Sequence, residues 1–205
     1  LNFTVTEPAA PGWMRVRPSG DTIVNDTSNV NFYAGDVVPN LVICKLGANG
    51  QITVDGSPTD VHVIGDVYGY FGATGSSVRT IPPDRLLDTR LGTGAPQTPV
   101  GGATTARLVV AGQGVIPANA TAVVPNVTAT NVASASYVTV YPDGQLEPET
   151  SSLNVFAGQT IANLVISKFD VNGDVCIYNA VGVDLAVDVA GYFTTATAYS
   201  PLARP

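Results

Sequence analysis

Charged residues are scarce in this sequence. Asp, Glu, Lys and Arg make up 12% of the 205 residues, against the roughly one quarter that is usual. Lysine occurs only at Lys45 and Lys168. The net charge is −7 and the isoelectric point is near 4.4. Because a nucleic-acid groove needs a basic patch, no nucleic-acid partner is expected.

Long apolar runs are also absent. No stretch approaches the roughly 18 apolar residues of a membrane-spanning helix, so no membrane insertion is expected. No secretory signal is recognisable either. Leu1 lies inside a repeated pattern. We therefore expect the chain to be a mature or trimmed piece of a longer product.

Groups that usually perform catalysis are few. The one histidine, His62, lies on an alternating strand pattern without Ser, Cys or Asp neighbours that would complete a catalytic or zinc pattern. We therefore predict no enzyme, with no catalytic residue, metal or cofactor. Cys44 and Cys176 leave two alternatives. They form a disulfide, as an extracellular composition favours, or they are two small buried hydrophobic residues.

The residues that are abundant favour β-structure. Apolar residues make up 45% of the chain, and there are 21 glycines and 15 prolines. Val, Thr and Ala dominate the rest, a mixture typical of strands joined by tight turns. Apolar and polar residues alternate over residues 2–6, 60–67, 126–130 and 183–189, and this period of two indicates half-buried strands. No stretch shows a convincing helical period.

A long repeat organises the chain. Residues 1–71 return as residues 125–193, at an offset that drifts from 124 to 122. The middle segment, residues 78–124, has no full partner in the first copy. We predict antiparallel sandwich-like modules of roughly nine strands, duplicated with a period of about 122 residues. The domains are then an incomplete first module, residues 1–78, and a complete second module with a C-terminal tail, residues 79–205.

Two hairpin tips are predicted at equivalent positions of the copies. Asn49-Gly50 and Asn172-Gly173 each interrupt an alternating pattern. Asn-Gly is a strong signal for a two-residue hairpin turn, in which both central residues have positive φ. Gly50 and Gly173 are therefore predicted to be structural.

Several carboxylates invite a functional interpretation. Asp66 and Asp188 occur in both copies before Gly-Tyr-Phe, and paired carboxylates can hydrolyse glycosides. One lies in each copy, however, so a structural carboxylate that pairs with arginine or accepts backbone N–H bonds is favoured. Asp88 with Arg90 or Arg85 is interpreted in the same way. Residues 170–174 place oxygen ligands as a calcium loop does, but no Glu follows at the required distance, which favours a hairpin.

Aromatic residues offer one binding hypothesis. Trp13 and Tyr137 occupy the same repeat position, and exposed rings of this kind could stack on sugars. Most aromatic residues alternate on strands, which favours core or interface positions. Tyr70-Phe71 and Tyr192-Phe193 end the two copies and are expected to cap each core.

An ordered series of motifs suggests a family. The motifs are Arg-Leu-Leu-Asp-Thr-Arg (85–90), Val-Ile-Pro-Ala-Asn-Ala-Thr-Ala-Val-Val (115–124), Asn-Val-Thr-Ala-Thr (126–130), Tyr-Pro-Asp-Gly (141–144), Leu-Asn-Val-Phe-Ala-Gly-Gln-Thr (153–160) and Asp-Val-Ala-Gly-Tyr-Phe (188–193). Together they resemble a repeat module appended to secreted and cell-surface proteins of actinobacteria and related bacteria. The resemblance covers essentially the whole chain. It implies an extracellular accessory module without an assigned activity. The first copy departs from it because it lacks the Leu-Leu-Asp-Thr-Arg segment.

These observations predict a non-catalytic structural or adhesive module, secreted or at the cell surface. We expect it to associate with itself or with neighbouring modules of the same kind, as a surface or filament subunit. A module that lacks several strands exposes unpaired edges and apolar residues, which promotes association. Two alternatives remain open, a carbohydrate-binding module with a polysaccharide partner and a surface component of a phage or virus.

Overall fold

The computed structural model describes residues 1–21 and 28–201, with side chains at residues 1–21, 28–72 and 75–194. Over these residues the secondary structure consists of fifteen β-strands and one short 3₁₀ turn. Every pairing between the strands is antiparallel. The prediction of an antiparallel all-β protein is therefore confirmed.

The chain divides into two compact units, Leu1–Val67 and Tyr68–Pro205. The boundary predicted between residues 78 and 79 falls inside a strand of the second unit, Gly69–Asp88. The last strand of the chain pairs with residues at both ends of that strand, from Gly69 to Asp88. Because both halves of the strand share this neighbour, residues 69–78 belong to the second unit.

Six strands build the first unit within residues 1–21 and 28–67. They are β1 (Asn2–Thr6), β2 (Gly12–Pro18), β3 (Val30–Phe32), β4 (Val37–Leu41), β5 (Ile52–Gly56) and β6 (His62–Asp66). They form two three-stranded sheets, in the orders β4-β1-β6 and β3-β2-β5. The 3₁₀ turn, Ala48–Gly50, precedes β5.

The alternation in β2 shows how sequence places the core of this unit. Met14 and Val16 are buried, while the residues between and after them point to the other face, because successive side chains of a strand alternate. There Arg15 and Arg17 both bond the carboxylate of Asp55, at 2.9 and 2.6 Å. The core cluster contains seven buried residues within the described part, namely Phe3, Val5, Met14, Val16, Val30, Phe32 and Val42.

Nine strands build the described part of the second unit, residues 68–201. They are β7 (Gly69–Asp88), β8 (Thr104–Val109), β9 (Ala120–Thr130), β10 (Ser136–Pro142), β11 (Leu153–Val155), β12 (Ile161–Leu164), β13 (Ser167–Lys168), β14 (Asp174–Asn179) and β15 (Asp184–Pro201). One sheet has the order β11-β10-β14-β8. The other has the order β12-β9-β15-β7, and β13 pairs beside β12 with β9.

The core of the second unit draws on both of its sheets. Leu87, Val127 and Leu185 come from one sheet, and Leu108 and Ile177 come from the other. All five are buried in one cluster. The alternating residues that predicted strands therefore also supply a common core for the two sheets.

The two Asn-Gly tips differ. At the first tip Asn49 and Gly50 have φ of 64° and 69°, the positive values that the two-residue turn requires. At the second tip only Gly173 has positive φ, at 86°, and Asn172 does not. The Gly173 N–H donates to the Asp170 carbonyl at 3.3 Å. Asp at the first position and Gly at the fourth are typical of a type I turn, which replaces the predicted turn here.

The aromatic pairs expected to cap the two cores also differ. Phe193 is 1% exposed and packs with Ala122 in a small cluster apart from the main core, whereas Tyr192 is partly buried against the main core cluster. Tyr70 and Phe71 are 54% and 48% exposed and lie on β7 in the second unit. The expectation that they cap the core of the first copy is wrong, because β7 carries them into the pairing with β15.

Candidate functional site

The Arg-Leu-Leu-Asp-Thr-Arg motif forms an ionic network at the end of β7. The side chain of Asp88 is fully buried. Its carboxylate accepts bonds from the Arg90 backbone N–H at 3.0 Å, from Arg90 Nε at 2.9 Å and from Arg90 Nη2 at 2.7 Å. Arg85 Nη1 donates a fourth bond at 2.9 Å. The bonds from Arg90 hold the pKa of Asp88 well below its usual range.

Arg85 joins this network to the neighbouring strand. It lies opposite Asp188 in the register of β7 and β15. Its Nε and Nη2 donate to the two oxygens of Asp188 at 2.8 and 2.7 Å. The pKa of Arg85 is raised, chiefly by these bonds. Such a two-bond pairing fixes geometry as well as charge, so Arg85 ties the two strands together.

Asp66 is the counterpart of Asp188 in the first unit. It is half-buried and lies at the end of β6, opposite Asn2 of β1. The structure therefore places Asp66 and Asp188 in separate units. Neither unit holds both members of the carboxylate pair that glycoside hydrolysis would require.

A second buried polar group was not anticipated from the sequence. Thr89 Oγ1 donates to Asp184 Oδ1 at 2.7 Å and accepts the Leu185 N–H at 3.0 Å. Asn131 Nδ2 donates to the other oxygen of Asp184 at 2.7 Å. The sequence feature that could have indicated this group is Thr89, which follows Asp88 in the Arg-Leu-Leu-Asp-Thr-Arg motif. Because each oxygen of the Asp184 carboxylate has a donor, the group holds strand ends together.

Three carboxylates converge elsewhere in the second unit, at Asp143, Asp170 and Asp174. Arg107 of β8 bonds Asp174 and lies 3.2 Å from Asp143 Oδ2. The Asp170 carboxylate accepts the N–H groups of Asn172 and Asp174 at 3.0 and 2.8 Å. These bonds close the turn that the oxygen spacing of residues 170–174 suggested as a calcium loop. The Arg107 guanidinium thus places a positive charge beside the carboxylates of Asp143 and Asp174. Asp174 Oδ1 has no hydrogen-bond partner among the described atoms.

The cysteines are free thiols, so the disulfide considered between Cys44 and Cys176 is not formed among the described residues. Cys176 is buried on β14, and its Sγ donates to Asp143 Oδ1 at 3.1 Å. Burial, helped by the Asp143 carboxylate, raises the pKa of Cys176 to about 12. Because the thiolate is the nucleophile, Cys176 is poorly suited to covalent catalysis. Burial also raises the pKa of Cys44.

The aromatic residues of the sugar-binding hypothesis are partly exposed. Trp13 and Tyr137 are each 38% exposed. The Arg15 guanidinium lies 5.7 Å from the Trp13 ring centre, a cation–π distance. The ring centres of Tyr137 and Tyr178 lie 5.8 Å apart, with their planes tilted by 40°. Each unit thus has its own small aromatic surface.

Features that would support catalysis are weak in the described residues. His62 is exposed and its nearest acidic partner is Glu7, at 3.8 Å. An open depression in the second unit is lined by loop residues between 94 and 100, by Thr89 and by residues 105–107. The described residues that line it include no carboxylate and no histidine.

Comparison of the chain with protein-family models, curated proteins and solved structures gives no match. The described residues contain no helix that is long and apolar enough to cross a membrane. The fold and the ion-pair networks define an all-β, antiparallel protein of two units.

Proposed function

We propose that the chain is a non-catalytic, extracellular structural and adhesive protein built from two copies of one sandwich module. The copies join neighbouring modules of the same kind in a surface or filament assembly. The shared strand order of the two units carries this proposal. Sheets β4-β1-β6 and β3-β2-β5 correspond to β12-β9-β15 and β11-β10-β14.

The register of the pairings supports the duplication. Met14 of β2 lies opposite Gly56 of β5, and Val16 lies opposite Val54. Val138 of β10 lies opposite Asn179 of β14, and Val140 lies opposite Ile177. The same offsets that align the repeated sequences therefore align the paired residues, as expected of two copies of a module.

The use of polar groups supports a structural function. In the second unit Asp184 and Asp188 bond side chains on other segments, and Asp88 bonds two arginines of its own motif. The raised pKa of Cys176 keeps its thiol protonated at neutral pH. The groups that could perform chemistry thus hold strands together.

Sedimentation velocity over a wide range of concentration, with electron microscopy, tests the proposal. We expect association to increase with concentration. The variant Val63→Lys, which places a charge on β6, should weaken that association because edge lysines discourage strand pairing. The matched control is Val171→Lys, at an exposed turn position, and it should leave the association unchanged. A chain that stays monomeric at every concentration would contradict the proposed association, and turnover of an ester, peptide or glycoside would contradict the non-catalytic assignment.

Carbohydrate binding is the second candidate function, favoured by the adjacent rings of Tyr137 and Tyr178. Neighbouring rings can stack on the apolar face of a sugar. A polysaccharide array tests this candidate. Binding that is lost in Tyr137→Ala, with Tyr33→Ala as the exposed aromatic control, would support it. An array without signal above background would contradict carbohydrate binding and leave the structural function as the remaining candidate.

A further inference from the structure

The first unit has two strands whose outer edges lack a partner within residues 1–21 and 28–67. β5 pairs there with β2, and β6 pairs with β1. Their counterparts in the second unit, β14 and β15, each pair on both sides. β14 has β8 as its second partner, and β15 has β7. The first unit therefore corresponds to the second unit without its β7 and β8.

Side chains beside these two edges are exposed where their counterparts are buried. Val54 of β5 is 38% exposed, whereas its counterpart Ile177 is 0% exposed. The exposed fractions of Val63 and Val67, on and just after β6, are 47% and 52%. Leu185 and Val189, at the corresponding positions, are 0% exposed. The difference amounts to an apolar surface along one side of the first unit.

The second unit shows what covers this surface. Leu87 of β7 and Leu108 of β8 are buried in the same core cluster as Ile177, Leu185 and Val189. Val110 and Ile116, which follow β8, belong to that cluster too. All four come from the middle segment that the first copy lacks.

Charge at the edge of β6 is complementary to the same segment. Asp66 occupies the position of Asp188, and Asp188 accepts two bonds from Arg85 of β7. A β7-like strand placed beside β6 in the same register would bring an arginine to the Asp66 carboxylate.

From these observations we infer that the outer edges of β5 and β6 bind the two-strand segment of another module of this kind, one with the sequence pattern of residues 79–110. The inference rests on the proposed repeat function and names its partner. Addition of strands to open edges supplies backbone hydrogen bonds, and the leucines of the incoming strands supply the core contacts. The arginine of Arg-Leu-Leu-Asp-Thr-Arg sets the register.

A full chain with a second copy of residues 78–124 attached before Leu1 tests the inference. The added Val124 is then followed by Leu1, which aligns with Pro125. We expect the backbone amide hydrogens of β5 and β6 to exchange more slowly than in the unextended chain, by a factor of roughly ten or more. We also expect the extended chain to lose the concentration-dependent association. Unchanged exchange would overturn the inference.

The matched control is the same extension with its copies of Leu87 and Leu108 changed to Asp. It keeps the added length and should not protect β5 or β6. Equal protection by both extensions would overturn the inference, because any attached tail would then suffice. Should the extended chain misfold, residues 78–124 added as a separate peptide to the full chain give the same comparison.

Failure of this inference is distinguishable from failure of the proposed function. An unextended chain that associates with β5 and β6 already protected, and in which the extension changes neither the protection nor the association, would show that these edges pair with the same edges of a second copy and not with a two-strand segment. That result would overturn the inference and leave the proposed association intact. An unextended chain that stays monomeric, with β5 and β6 protected only in the extended chain, would support the inference and contradict self-association.

Discussion

At the scale of single residues, Asp88 illustrates how this protein keeps charges in its interior. Its side chain is fully buried, and an unpaired charge there would be strongly destabilising. Four hydrogen bonds from Arg85 and Arg90 surround the carboxylate. The two arginines extend to the surface, where their side chains are 40% and 42% exposed. These bonds offset the cost of burying the Asp88 charge at the end of β7.

Asp88→Asn should lower the free energy of unfolding of the second unit by about 2 kcal/mol at neutral pH, since it removes charge-assisted hydrogen bonds. The folded protein lowers the pKa of Asp88, so the carboxylate stabilises the fold fully above its unfolded-state pKa of about 3.9. This stabilisation decreases as the pH falls below that value. Urea unfolding at neutral and acid pH measures the difference.

The exposed Asp60 provides a control for that measurement. Asp60→Asn should change stability by less than about 0.5 kcal/mol at either pH. A pH-independent difference between the parent protein and Asp88→Asn would contradict the role given to the charge of Asp88.

The thiols provide a second prediction at this scale. In the native protein a thiol reagent at neutral pH should modify Cys44, which is half-buried, and leave Cys176 unmodified, because Cys176 is buried and protonated. Both should react in urea. Mass spectrometry of the intact protein before and after labelling measures this. Rapid native labelling of Cys176, or an unlabelled disulfide-bonded chain, would contradict the described environment.

At the scale of elements, the two glycine turns are constrained in different ways. Gly50 has positive φ and no neighbouring atom within 4 Å of an added Cβ. At Gly173 an added Cβ would lie too close to the Ala111 side chain. Backbone conformation alone restricts the first position, whereas conformation and packing together restrict the second.

Gly50→Ala should therefore lower the free energy of unfolding by about 1 kcal/mol, the typical effect of placing a Cβ in the left-handed region. Gly173→Ala should cost more, because Ala111 must also move. In an Ala111→Gly background the cost of Gly173→Ala should fall towards that of Gly50→Ala. Thermal unfolding of the four single and double variants measures the coupling. Equal costs at Gly173 with and without Ala111 would contradict the packing explanation.

At the scale of the whole molecule, the two units differ in how completely their sheets are built. The first has two three-stranded sheets, and the second has sheets with additional strands at their edges. The described core cluster of the first unit is also the smaller of the two. Because it has fewer strands and buries less apolar surface, the first unit is expected to have a lower free energy of unfolding than the second.

Unfolding should consequently occur in two steps, with residues 1–67 opening before the second unit. Hydrogen exchange read by mass spectrometry should show lower protection in β5 and β6 than in β14 and β15. Calorimetry of the full chain at low concentration, where association is suppressed, should resolve two transitions. One cooperative transition with uniform protection would contradict the difference in stability between the units.

The sequence by itself determined the local character of the protein. Alternation over residues 2–6 and 126–130 predicts strands, and low helical periodicity excludes long helices, since both signals depend on neighbouring residues alone. The positive φ of Asn49 and Gly50 is likewise predicted from local sequence, by the Asn-Gly dipeptide. At Asn172 the same dipeptide did not determine the turn type. The carboxylate of Asp170 accepts bonds from Asn172 and Asp174 and stabilises another turn.

Only the tertiary structure decided which distant residues meet. Arg85 and Asp188 are partners because β7 and β15 pair with Asp188 opposite Arg85, directly after a shift in register, and no local pattern specifies that pairing. Pairing with β15 also assigns residues 69–78 to the second unit and leaves Phe71 exposed. The exposure of Val63, like the burial of Leu185, depends on whether a further strand lies beside it. Burial is a property of three-dimensional neighbours, and among the described residues near-equivalent sequences therefore have a buried edge in one unit and an exposed edge in the other.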